Sequence, residues 1–120
     1  MDFTTLPAFD RDFKRLSKRF RTLGDDFEIL IKYIDGFHNR GIRTDDPVEI
    51  QGASGETYKS YKVRKIACKS LLGRGKQSGL RVIYVRKPSE NKITFVEIYY
   101  KSDQENEDKA RLKEFISGLK

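Results

Sequence analysis

Two β-forming runs, residues 80–87 (LRVIYVRK) and 93–101 (ITFVEIYYK), are separated by only the turn PSEN at 88–91 and Lys92. β-Branched and aromatic side chains crowd both runs, as suits a pleated, packed surface. A connection this short can join only antiparallel neighbours, so the chain must build its fold around an antiparallel pair. Strand alternation sets Thr94, Val96, Ile98 and Tyr100 on one face of the second run and Glu97, Tyr99 and Lys101 on the other. The first set is expected in the core, with Tyr100 inside. The second is expected to form an exposed, functional face, with Tyr99 outside. A further strand is expected at residues 62–71, although its pattern does not alternate cleanly and leaves its orientation open. The segment 73–79 (GRGKQSG) reads as a glycine-rich loop between the first two strands.

The elements around these strands are helical. Phe9, Phe13, Leu16, Phe20 and Leu23 recur at steps of 4, 3, 4 and 3, one stripe of an amphipathic helix. Pro7 suits its first turn and Gly24 its end. Asp25 or Asp26 can cap a second helix with the apolar face Phe27, Leu30, Ile31 and Ile34, ending between Gly36 and Gly41. The short link makes the two an antiparallel hairpin. Residues 42–58 read as an irregular connection, with a short edge strand at 48–51. Ser102 and Glu105 match a capping box for a last helix with the stripe Leu112, Phe115, Ile116 and Leu119. The expected fold is α+β: a two-helix hairpin, a small antiparallel sheet of 3–4 strands, and a C-terminal helix, with the helices on one face. At 120 residues this is one domain spanning 1–120.

Charge narrows the partners. The net +7 is not spread evenly: residues 1–57 carry 9 basic and 11 acidic side chains, and residues 102–120 carry 4 and 5. Residues 58–101 carry 12 basic and 2 acidic, a local +10 that points to a polyanion, most often nucleic acid. One cysteine, Cys68, excludes an internal disulfide and a cysteine-rich zinc site. One histidine, His38, argues against a histidine-built metal site or triad, and its place near a helix end suits a dipole-favoured residue. No stretch approaches the ~20 apolar residues of a membrane helix. The acidic start MDFTTLPAFDRD lacks a signal-peptide pattern, so a cytoplasmic location is expected.

The loop 73–79 lacks the spacing of a Walker A motif. Its glycines allow close approach to an anion, with Arg74, Lys76 and Arg81 supplying charge; a soluble hairpin loop is the plainer account. Arg81 opens what should be the middle strand among apolar neighbours, so it must either emerge on an open face or pair with Glu97. Tyr58, Tyr61, Tyr84, Tyr99 and Tyr100 interleave with the cations, as base stacking requires and as strands commonly show. Cys68 is expected as a buried strand residue. Asp25, Asp26, Asp45 and Asp46 are expected as caps and turn residues.

The run VRKIACKSLLGRGKQSGLRVIYV, followed by ITFVEIYYKSDQENEDKARLKEFI, resembles the RelE/ParE superfamily of type II toxin–antitoxin toxins. It is closest to the RelE- and HigB-like branch, whose members often carry G-[RK]-G-K-x-[SG]-G-x-R-V-I-Y. The resemblance covers roughly residues 8–119, and its specific part is 63–103. It implies an mRNA interferase: a ribosome-dependent, metal- and cofactor-independent endoribonuclease that blocks translation by directing a ribose 2′-OH onto the adjacent phosphate. The implied partners are mRNA, the ribosome and a cognate antitoxin, in a homodimer or a toxin–antitoxin hetero-oligomer. Two alternatives are a ParE-like gyrase inhibitor and a non-catalytic nucleic-acid-binding protein. By motif match, Arg81 takes the place of a phosphate-contacting arginine, Lys76 falls in the basic loop and Lys101 ends the last strand. Lys69 is a candidate base or phosphate ligand on the first strand, and Arg64, Lys65, Arg74 and Tyr99 are candidate RNA contacts. The chain departs from RelE proper after the last strand, where Lys101-Ser102-Asp103 offers no second arginine.

Overall fold

The computed structural model describes residues 1–71 and 78–119. Its centre is the expected pair: β4 (Leu80–Lys87) and β5 (Lys92–Tyr100) run antiparallel, joined by a 3₁₀ turn at Pro88–Glu90. Asn91 closes that turn with φ 48°, a left-handed conformation that asparagine tolerates. Ahead of the pair lie β1 (Asp2–Thr5), α1 (Pro7–Arg19), α2 (Leu23–Asn39), β2 (Val48–Glu49) and β3 (Lys59–Val63); α3 (Lys109–Ser117) follows. The five strands form one mixed sheet in the order β1-β5-β4-β3-β2. The fold is α+β, with a helix hairpin before the sheet and a C-terminal helix after it.

One strand more than expected comes from the N-terminus, where β1 pairs in parallel with β5, Asp2 opposite Lys92 through Thr5 opposite Phe95. The four residues DFTT carry no alternation of their own; the free edge of β5 organises them.

The facing of β5 is corrected by a bulge. Ile83 pairs with Glu97 but Tyr84 pairs with Phe95, so Val96 is an extra residue and the parity of the strand changes there. Ile93, Phe95, Ile98 and Tyr100 thus share one face with Phe9, Leu16, Phe20, Leu30 and Ile34 of the helix hairpin. Val96 and Tyr99 turn to the opposite face and pack with Tyr58, Ile83, Val85, Leu112 and Ile116. The helices therefore do not all lie on one face: α3 covers the second. Glu97 and Tyr99, expected outside, are 3% and 2% exposed.

Two boundaries also move. β3 starts earlier than expected and ends at Val63, because the next two amides leave the ladder: the Arg64 and Lys65 N–H groups donate to the buried Asp46 carboxylate at 2.9 Å. Further along, the Lys69 N–H donates to Asp26 Oδ2 at 3.1 Å and the Ser70 N–H to Thr22 Oγ1 at 2.9 Å. Asp26 and Asp46 thus anchor residues 64–70 as non-strand chain; Cys68 is buried there, but outside any strand. The last helix begins at Lys109 rather than near Ser102; Asp108 is its N-cap and accepts from the Arg111 N–H at 3.0 Å. Gly24 lies in the first turn of α2, which has Thr22 at its N-cap position, and does not end α1.

Candidate nucleic-acid interface

At one end of the sheet, three neighbouring strands bring cations together. Ser78, wholly buried, donates its hydroxyl to the Ile66 carbonyl at 2.6 Å, which fixes where the chain re-enters the sheet. Gly79 follows with φ +91°, and a Cβ there would meet the Tyr100 ring at 3.1 Å, so this entry requires glycine. The Lys101 N–H donates to the Gly79 carbonyl at 2.8 Å, aligning the ends of β4 and β5. Arg81 lies opposite Tyr99, and Lys101 is its diagonal neighbour. Since Val63 pairs with Val82, Arg64 falls opposite Arg81 just beyond β3.

Arg81 does not pair with Glu97. Its Nη1 donates to the carbonyls of Arg64 at 3.0 Å and Leu80 at 3.1 Å, which aim the guanidinium without neutralising it. Glu97 is engaged elsewhere: Oε2 accepts from Gln104 Nε2 and Oε1 from the Asp108 N–H, each at 2.8 Å. Lys101 is exposed, and among the described residues neither it nor Arg81 makes an ion pair.

Other cations of the basic block are matched by carboxylates. Lys62 Nζ meets Glu107 Oε1 at 2.9 Å, Arg64 Nε lies 3.9 Å from Asp46 Oδ1, and Lys65 pairs with Asp45. Lys59 pairs with Glu49 at 3.9 Å, and Lys87 with Glu90. The hydrogen bond from Lys65 holds the exposed Asp45 carboxyl below its ordinary range. Lys65 and Lys69 are not gathered at the Arg81 end. They line a cavity of about 330 Å³ with Asp26, Ile29, Tyr33 and Asp45, against α2. Arg74 and Lys76, with most of the glycine-rich loop, lie outside the described residues.

Sequence reasoning missed the centre of this face. Lys62 stands opposite Ile83, one alternation step inward from Arg64 and Arg81. Its ammonium is 5.9 Å from the Tyr99 ring centroid. Burial would push Lys62 down, but the Glu107 hydrogen bond and the nearby Tyr99 hydroxyl outweigh it and hold Lys62 above its usual value. Burial pushes Tyr99 up as well. Both groups therefore stay protonated at neutral pH. The Tyr99 ring is buried and offers no platform for a stacked base. A general base is not found among these groups; the chemistry they offer is anion binding and stabilisation of developing negative charge.

His38 is on the opposite side of the sheet. Its Nε2 is 2.8 Å from the Tyr84 hydroxyl, and its ring meets Tyr61, which stacks on Tyr84. Burial, reinforced by the Arg86 charge, lowers its pKa to about 4, so it is a neutral hydrogen-bonding partner in a packed cluster. Among the described residues no group of His, Cys, Asp or Glu is placed to hold a metal ion, and no helix is long and apolar enough to cross a membrane. Comparison with protein-family models, curated protein sequences and solved structures finds no match to this chain.

Proposed function

We propose that this chain is a RelE-like toxin that binds mRNA on the ribosome and promotes cleavage of its backbone, held in check by a cognate antitoxin. The observation that carries the reading is the Arg81 guanidinium: it is oriented by two carbonyls, lacks a carboxylate partner among the described residues, and stands at the sheet end beside Arg64 and Lys101. An arginine held this way presents its remaining N–H donors to a phosphate in a fixed fork. The work asked of it is to position the backbone and stabilise charge on the phosphoryl oxygens as the 2′-OH attacks.

A second reading is favoured by a specific observation. Lys62 and Tyr99, both protonated, can hold an anion but cannot take the 2′-OH proton, which suits a non-catalytic RNA-binding protein. A reconstituted translation reaction separates the two. The toxin reading predicts that the purified chain stops protein synthesis and leaves new mRNA ends mapped within the ribosome. Salt-sensitive RNA binding with intact mRNA supports the binding module instead. Unchanged translation with blocked gyrase supercoiling overturns both in favour of a gyrase poison.

A further inference from the structure

Between β5 and α3 the chain crosses the α3 side of the sheet as a strap, residues 101–108, bearing Asp103, Glu105, Glu107 and Asp108. The strap is tied at several points. Both oxygens of the buried Glu97 carboxylate hold it, through Gln104 and the Asp108 amide. Asp103 pairs with Arg19 at the end of α1. These ties deliver Glu107 to Lys62 at 2.9 Å, with the two side chains only 10% and 21% exposed. Tyr99, 2% exposed, sets its ring and hydroxyl beside the Lys62 ammonium. Lys62 is also the inner cation of the face whose outer members are Arg64 and Arg81.

The geometry points to Glu107 as an internal anion that occupies Lys62 in the resting protein and is displaced when an RNA phosphate binds. The strap is thus an autoinhibitory contact. This inference rests on the proposed RNA-binding role of the Arg81 end. Lys62 is then available to RNA only at the expense of its carboxylate partner. The affinity of the resting protein is lowered by that competition, and anything that draws the strap aside uncovers one more cation.

Binding of a fluorescent single-stranded RNA, followed by anisotropy over a range of KCl concentrations, tests the inference. Glu107→Gln removes the competing charge. It should tighten binding about three- to tenfold, with the slope of log K against log salt little changed, since Lys62 neutralises the same phosphate in both complexes. Glu105→Gln makes the same change of charge at an exposed strap position without an ion pair among the described residues, and should do much less. Adding Lys62→Gln to Glu107→Gln should abolish the gain. In the wild-type protein, which needs no variant to fold, the Glu107 carboxyl carbon resonance should shift as RNA is added. If Arg81→Ala weakens binding while Glu107→Gln gains no more than Glu105→Gln, the gate is overturned and RNA binding stands. If Arg81→Ala leaves binding unchanged, the RNA-binding role and the gate fail together.

Discussion

His38 shows how a single side chain can be chemically conspicuous yet structural in effect. As the one histidine of the chain it invites a catalytic role, but its ring is spent on Tyr84 and Tyr61 in a half-buried cluster. Its lowered pKa makes it a stability determinant. The unfolded chain takes up a proton on this residue below its ordinary value of 6.5, whereas the native state resists until about 4. The native state therefore binds fewer protons over that window, and stability is lost as pH falls from 6.5 towards 4. His38→Gln can keep a hydrogen bond to Tyr84 and cannot titrate. Urea unfolding at pH 7 and at pH 4.5 should show a larger acid loss for wild type than for this variant. Identical losses would mean that the imidazole is not held neutral. Arg81 is the converse case: its position among apolar residues was visible in the sequence, but its partner was not. Glu97 does share the face of Arg81, opposite Ile83, but the Gln104 side chain and the Asp108 amide take up its carboxylate.

Elements were legible where their signals are local and dense. The β4–β5 pair and its turn follow from β-rich runs with only PSEN and Lys92 between them, and α1 and α2 follow from their stripes. β1 was not legible, because four mixed residues become a strand only when β5 offers them an edge. β3 was misplaced because Asp46, distant in sequence, takes the amides of Arg64 and Lys65 out of the ladder. The start of α3 was misread for a similar reason. Ser102 and Glu105 have capping-box spacing, yet the strap is pinned to Glu97 and the helix waits until Asp108. Glu97 is thus the residue that docks strap and helix onto the sheet. Glu97→Ala leaves the Asp108 amide and the Gln104 side chain without their acceptor and should cost about 2–4 kcal/mol, as losses of charged hydrogen-bond acceptors do. The same variant should open residues 101–108 to protease earlier than the rest of the chain. Unaltered stability and cleavage would show that the strap is held by something else. Arg111 adds a second tie: its Nη1 meets Asp12 of α1 at 2.6 Å and the Val96 carbonyl at 3.1 Å, where β1 no longer covers the edge of β5.

At the scale of the molecule, the sequence displays a +10 block but not how folding divides it. Asp45, Asp46 and Glu49 arrive from one side of the block and Glu107 from the other, and each meets a cation within it. The exposed pairs among them, Lys65 with Asp45 and Lys59 with Glu49, contribute little stability individually. Their effect here is spatial: they remove most of the middle of the block from competition for an anion and leave Arg81 and Lys101 at the sheet end. Of the residues proposed from sequence, Arg64, Arg81 and Lys101 come together there, Lys65 and Lys69 go to the α2 side, and Tyr99 is buried beneath. No linear pattern could have sorted them, since the acids that decide the matter lie many residues away.

The role proposed for Arg81 is to stabilise charge on an RNA phosphate during cleavage. The most direct measurement is the single-turnover rate of cleavage of mRNA bound in the ribosome by wild type and by Arg81→Ala, with unfolding curves confirming that both are folded. Wild type should cleave, and the variant should do so at a rate roughly 10²–10³-fold lower, the usual loss when a donor to a developing oxyanion is removed. Cleavage at the wild-type rate by Arg81→Ala, or no cleavage by the wild-type chain, would contradict it.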